Sequence, residues 1–240
     1  MFLLPRPWWA LLAGLLVAGG AHEWARLCRL SRAAAWIYSV ALAAAFGLLL
    51  FAGDRVTFMV LVAATVFWVA FVPIWLARGV APRHNAGLIA AGIVVLVPAG
   101  YALATLEPRL VLAVLILVWL ADTAAYFVGR KWGRRKLAPS ISPGKTWEGA
   151  WGGLAAAMAY AIICGTFLLG TAGWPAYLAV AVLLAAVSIV GDLFESAAKR
   201  QAGVKDSGTL LPGHGGIMDR IDSATAVLPV AALLLALPRP

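Results

Sequence analysis

Charge is what this sequence has least of. Only 12% of its 240 residues are charged and 63% are hydrophobic, whereas a soluble domain carries about a quarter charged residues. That deficit excludes an ordinary water-soluble globule. Cysteine is almost missing: Cys28 and Cys164 form no CxxC pair and lie in or near apolar runs, so they read as small buried hydrophobes and say nothing of redox compartment. The sequence has no His/Cys zinc spacing and no Ser-His-Asp arrangement. It has no GxxxxGK[ST] phosphate loop, and no internal repeat or low-complexity linker.

What is there is a series of continuous apolar runs about twenty residues long, the length that carries a helix across a bilayer. Transmembrane strands would instead show ten-residue alternation. The expected fold is therefore an all-α polytopic membrane protein with about eight transmembrane helices. The spans fall near Trp8–Leu27, Ala33–Ala52, Val56–Ala77, Ala86–Leu106, Leu110–Gly129, Ala150–Gly170, Ala176–Ala197 and Ser223–Leu237. The last is short and could begin as early as Ile217. The first resembles a signal peptide, but His22, Glu23 and Arg26 follow it at once, so we read it as a retained span with His22 and Glu23 as interfacial polar residues.

A net charge of +9 would suit nucleic acid, but its distribution points elsewhere. Fifteen of the nineteen Lys and Arg residues fall in the connections after spans one, three, five and seven. By the positive-inside rule those loops are cytoplasmic and both termini lie outside. The expected location is a membrane with these basic loops on its cytoplasmic side, with no nucleic-acid partner. Spans two to four carry no ionisable group in their apolar parts, and Pro73 and Pro98 should kink their helices. Residues 1–106 thus read as scaffold and 107–240 as the part that carries chemistry, within one compact unit.

That chemistry begins at Asp122, an ionisable residue inside an apolar helix. A carboxylate there costs at least about 2.5 kcal/mol and usually faces a polar cavity; the alternative is a helix–helix hydrogen bond. The basic stretch Arg130–Lys136 is explained by topology and lipid headgroups alone. Beyond it, Ser142, Lys145 and Thr146 surround Pro143-Gly144 just before span six. A turn feeding a helix N-terminus offers amides, hydroxyls and an ammonium to phosphate. In span seven, Ser188, Asp192, Glu195 and Lys199 share one face. Arg200 follows, and a simple salt-bridge reading of this stripe stays open. The next segment, Ser196–Ser223, is polar and glycine-rich. It supplies Lys205, His214 between Gly213 and Gly215-Gly216, and then Asp219, Arg220 and Asp222. On this topology carboxylates from three helices reach one depth on the cytoplasmic side. Mg²⁺, with room for a second cation, is the natural way to hold them together and to neutralise nucleotide phosphates.

The run Ser196…Lys199-Arg200…Lys205-Asp206…Gly208…Leu211-Pro212…His214-Gly215-Gly216-Ile217…Asp219-Arg220-Ile221-Asp222 resembles the signature of the phosphatidate cytidylyltransferases, or CDP-diacylglycerol synthases. Ala198 departs from it, standing where the family usually has a larger apolar residue. DTAAYFVGR, KLAPSISPGKTWEG and GDLFES resemble further family blocks. The resemblance implies that CTP and phosphatidic acid yield CDP-diacylglycerol and pyrophosphate in phospholipid biosynthesis, with Mg²⁺ bound at Asp192 and Asp219. Asp122, Glu195 and Asp222 would complete the site. Lys145, Lys199, Arg200, Lys205 and Arg220 would hold phosphates, helped by Ser142, Thr146, His214 and the glycines 215 and 216. It also implies a homodimer. The rival readings are a CTP-dependent lipid kinase, a cytidylyltransferase acting on another lipid phosphate, a transporter using Asp122 and Asp192, and a lipid-binding scaffold.

Overall fold

A computed structural model describes residues 5–78, 85–168, 174–208 and 215–237. These residues form eight long helices, α1 (Arg6–Leu27), α2 (Arg32–Leu50), α3 (Asp54–Ala77), α4 (Asn85–Thr105), α5 (Pro108–Trp132), α6 (Trp147–Leu168), α7 (Trp174–Ala202) and α8 (Met218–Ala236). Each coincides with one of the apolar runs, allowing a few residues at the ends. Six of them, α2 to α7, are long and apolar enough to cross a membrane. Apolar side chains such as Leu15, Ile37, Val40, Leu48, Phe71 and Ile163 are more than half exposed. A surface of this kind is stable against hydrocarbon and not against water, so the chain is a multi-pass membrane protein.

Local sequence sets the helix ends. Ser31 Oγ accepts from Ala34 N (3.3 Å) and caps α2, and Pro7 and Pro108 stand in the first turns of α1 and α5, where no N–H is needed. The expected irregularity at Pro73 takes a definite form. The turn Phe67–Phe71 is π-helical, with Val72 N donating to Phe67 O, and this wider turn accommodates the proline just beyond it. Pro98 and Pro229, by contrast, lie inside helices α4 and α8.

Helix α8 is the pillar around which the others stand. It packs on α3, α4, α5 and α7, and every residue from Ala226 to Leu233 is buried. A helix apolar on all sides belongs in the interior, and its burial explains why a short apolar run suffices. Helices α5 and α6 approach closely because Gly149 and Gly153 face them: a Cβ at either position would press on the carbonyl oxygens of Ala125 and Ala121. The main core cluster draws on residues from Ala13 to Ala231 and so joins both halves of the chain.

The fold corrects the all-helical expectation at one place. Between α5 and α6 lies an antiparallel hairpin, β1 (Lys136–Ala138) and β2 (Ser142–Thr146), with Lys136 opposite Thr146 and Ala138 opposite Ser142. Pro143-Gly144 is therefore part of a strand, and the turn is formed by residues 139–141, closed by Ile141 N to Ala138 O at 3.1 Å. Proline is tolerated there because the strand pairs on only one side.

Candidate active site

Helices α5, α7 and α8 and the hairpin converge on a cavity of about 790 Å³. Helix α5 contributes Asp122, Tyr126 and Arg130, α7 contributes Asp192, and α8 contributes Asp219 and Asp222 from its first turns. The hairpin adds Lys136, Ser142, Lys145 and Thr146. Four carboxylates thus face Arg130, Lys136 and Lys145 across one volume, inside the size range of small-ligand sites, about 300–1,000 Å³.

Each polar group is placed by a specific local device. Thr146 is buried and its hydroxyl accepts from Gly149 N (3.1 Å), capping α6. Glu148 reaches back to accept from Arg134 N (3.0 Å) and Arg135 N (3.2 Å), fixing the entry to the hairpin. At the hairpin tip Ile141 is buried among Leu193, Ala197 and Trp75, while Arg200 Nε donates to Ile141 O at 3.3 Å. Lys145 is thereby aimed across the cavity, and its Nζ stands 2.5 Å from Asp192 Oδ2. Both side chains are about a quarter exposed (26% and 29%). An ion pair that open to solvent is worth little, so an incoming phosphate can compete for the lysine and a cation for the aspartate. Asp192 Oδ1 also accepts from Ser196 Oγ at 3.3 Å.

Asp219 is held on both sides. Its Oδ1 lies 2.6 Å from Lys199 Nζ, and the same ammonium is 2.7 Å from Glu195 Oε2. Its Oδ2 accepts from Gly216 N (2.8 Å), Ser207 N (3.0 Å) and Ser207 Oγ (2.9 Å). This carboxylate therefore folds the glycine-rich segment onto the start of α8. Gly215 has φ +79°, a conformation suited to glycine, and a Cβ on Gly216 would collide with Ser207 and Glu23.

Glu23 is the residue beside the site that sequence reasoning placed wrongly. It is not interfacial but fully buried. Its carboxylate accepts from Ile217 N and Met218 N (both 2.9 Å) and lies 3.1 Å from Ser207 Oγ. Two of the four orphan amides of α8 are thus satisfied by a side chain nearly two hundred residues earlier, and its negative charge sits at the positive end of the helix dipole. The serine has one hydroxyl proton to offer Glu23 and Asp219, which ties the two acids into one node.

The other expected residues separate into groups. Asp122, Ser142, Lys145, Thr146, Asp192, Asp219 and Asp222 all line the cavity. Glu195, Lys199 and Arg200 stand behind its wall, where Lys199 bridges two acids and Arg200 pins the hairpin. Gly216 shapes the loop beside Asp219, while Lys205 is exposed. Arg220 lines a second, apolar cavity next to the first. His214 lies outside the described residues.

The donor set fits a hard cation. Every acid in the cavity offers carboxylate oxygen, and Lys145 already places a positive charge against Asp192. Among the described residues no three His, Cys, Asp or Glu side chains form a closed cage. Mg²⁺ needs none, since it commonly takes one or two carboxylates and completes its shell with substrate phosphates and water.

The model of the Cytidylyltransferase family matches residues 1–237. The phosphatidate cytidylyltransferase of Pseudomonas aeruginosa is 41% identical over 250 residues, covering 98% of this chain and 90% of that protein. Those of Haemophilus influenzae and Brucella suis are 52% and 53% identical over 124 and 117 residues, about half of this chain and 43% and 42% of theirs. A match along nearly the whole length, with the acids and the lysine gathered at one cavity, leaves one conclusion: the chain belongs to the Cytidylyltransferase family.

Proposed function

We propose that this protein transfers the CMP group of CTP to phosphatidate, giving CDP-diacylglycerol and pyrophosphate for phospholipid synthesis. The observation that carries this reading is the cavity itself: four aspartates from three membrane helices share one wall system with Lys145, at the end of the helices where basic loops gather. The relatives' names supply the substrates.

In the reaction a phosphate oxygen of phosphatidate attacks the α-phosphorus of CTP. A new P–O bond forms there, the bond from that phosphorus to the β-phosphate oxygen breaks, and pyrophosphate leaves with its electron pair. No covalent enzyme intermediate is required. Catalysis rests on alignment and on neutralising charge as it develops. Lys145 swings from Asp192 to a phosphate, helped by Ser142, Thr146, Arg130 and Lys136 on the same wall. Lys199 and Arg200 act through what they hold, Asp219 and the hairpin tip, and Lys205, His214 and Arg220 serve the phosphates or the lipid headgroup from the loop. Mg²⁺ would be held by Asp192 and Asp219, with Asp122 and Asp222 beside them and a second cation accommodated, and it would supply charge neutralisation on the nucleotide phosphates.

The same proposal places the site on the cytoplasmic side of a bacterial inner membrane, with eight spans and both termini outside; the distribution of Lys and Arg supports this reading. Residues 1–106 serve mainly as scaffold, Glu23 excepted, while residues 107–240 carry the chemistry; pairing into a homodimer rests on the family resemblance. Purified protein given CTP, Mg²⁺ and phosphatidate should release one pyrophosphate per CDP-diacylglycerol formed, and none when phosphatidate is omitted. Pyrophosphate release independent of lipid would sink the proposal.

A further inference from the structure

Helix α1 ends against the glycine-rich segment that orients Asp219, and it grips that segment on both flanks. On the later flank the fully buried Glu23 accepts from Ile217 N and Met218 N and meets Ser207 Oγ. The fit there is close: a Cβ on Gly208 would press on the Glu23 carboxylate, and one on Gly19 would press on Ile217. On the earlier flank Arg29 Nη2 donates to the carbonyl of Ala202, the last residue of α7, at 3.3 Å. The two helices end alike, Leu30 N reaching Ala25 O and Val204 N reaching Lys199 O, both at 3.0 Å. Such an ending needs a left-handed residue just before the donor. In α7 it is Gly203 at φ +75°, and in α1 it is Arg29 at φ +56°. Among the described residues no other non-glycine has a positive φ. Glycine takes this conformation freely and an L-residue does not, so an arginine held there points to a task for its side chain.

We propose that the C-terminal end of α1 is a clamp that positions the glycine-rich segment for turnover, with Arg29 holding its entry and Glu23 its exit. Neither residue lines the reaction cavity; both are positioning residues that act through Asp219, so the proposal rests on the reading of Asp219 given above. Asp219 Oδ2 takes its direction from Gly216 N and from Ser207 N and Oγ, two residues near opposite ends of the segment. The aspartate is aimed only while those two stay together. Glu23 is what joins them, since one carboxylate meets Ser207 Oγ and also holds the amides that directly follow Gly216. Arg29 fixes the point where the chain leaves α7, shortly before Ser207. The charges suit their places: the guanidinium stands at the negative end of the α7 dipole and the carboxylate at the positive end of the α8 dipole. One helix end thus sets both exits of the segment at once.

The test compares three variants of the full chain by turnover and by amide hydrogen exchange. Glu23→Gln keeps the side chain's size and removes its charge. Arg29→Gly relaxes the backbone and removes the grip on Ala202. Ser207→Ala removes the shared hydroxyl and leaves the first amides of α8 capped. A misplacement of about 1 Å at a reacting centre costs on the order of a hundredfold, so kcat should fall at least about tenfold in Glu23→Gln and Ser207→Ala, with the KM for CTP and for phosphatidate within about twofold of wild type. The Arg29 contact is exposed and so worth less: Arg29→Gly should lose about three- to fivefold in kcat, and Arg29→Lys, which keeps a donor and the charge, should restore it. Because a clamp acts locally, exchange in Glu23→Gln should rise at least about tenfold at Ser207, Gly216, Ile217 and Met218 and keep its wild-type rate in the buried residues 226–233 of α8. If Glu23 only stabilised the fold, exchange would rise equally in both regions and the kcat of the folded protein would not change. That result, or a kcat within twofold of wild type in both Glu23→Gln and Arg29→Gly, overturns the clamp. If Glu23→Gln does not fold, Arg29→Gly and Ser207→Ala carry the same test. Should the wild-type protein make no CDP-lipid, it is the functional reading that fails, and the exchange pattern still decides the clamp.

Discussion

Asp219 joins three parts of the site: the Lys199 ammonium, the Ser207 turn and the Gly216 amide. Asp219→Asn replaces one acceptor oxygen by a donor, which meets either the lysine or the two amides with the wrong polarity. Turnover should drop by at least about a hundredfold, a loss typical of removing one preorganised electrostatic group, while the helical circular-dichroism signal stays. Near-normal CTP-dependent activity in that variant would refute its role. Glu23→Ala should act differently, through stability. It leaves Ile217 N and Met218 N buried without acceptors, at about 1–3 kcal/mol each, so the thermal midpoint should fall together with activity. Glu23→Gln, which keeps one acceptor oxygen, should recover much of the midpoint. Asp122, Asp192 and Lys145 were legible in the sequence because each is a charge where apolar helices or a phosphate-ready turn make a charge conspicuous. Glu23 was not, since an acid at the end of a span looks like an interfacial residue until the distant loop that it caps is seen. Ala198, the departure from the family signature, is fully buried and so belongs to packing.

The element with most leverage on the site is the hairpin of β1 and β2. It carries Lys145, and its tip is anchored by the burial of Ile141 against α7. Ile141→Ala should cost about 2–5 kcal/mol of local packing. Because that loss loosens the strand bearing Lys145, the KM for CTP should rise several-fold more than kcat falls. Equal loss in both, or none, would show that the hairpin does not position the lysine. The sequence marked Ser142, Lys145 and Thr146 as phosphate-binding candidates, yet not the strand that carries them. Pro-Gly reads as a turn by propensity, and the burial of Ile141, a tertiary contact, moved the turn three residues earlier. The helices themselves were legible to within five residues at their ends, since continuous apolar runs leave a lipid-embedded backbone no other way to satisfy its hydrogen bonds.

At the scale of the whole molecule the expected property is sidedness. Single cysteines at Arg134 or Lys205 should react with a membrane-impermeant thiol reagent only when the cytoplasmic face is open, and one at Arg55 or Arg109 only from the outer face. The reverse pattern would invert the topology and put the site on the wrong side for CTP. Metal removal belongs to the same scale: chelation should abolish product formation and Mg²⁺ restore it, whereas activity that survives exhaustive chelation would refute the cation assigned to Asp192 and Asp219. The central claim, transfer of CMP to a lipid phosphate at the cavity of Asp122, Asp192, Asp219 and Asp222, is tested most directly by following the phosphorus atoms of CTP. With purified protein and phosphatidate, label on the α-phosphate should appear in the lipid and label on the γ-phosphate in pyrophosphate. Label from the γ-phosphate in the lipid would identify a kinase and contradict the account.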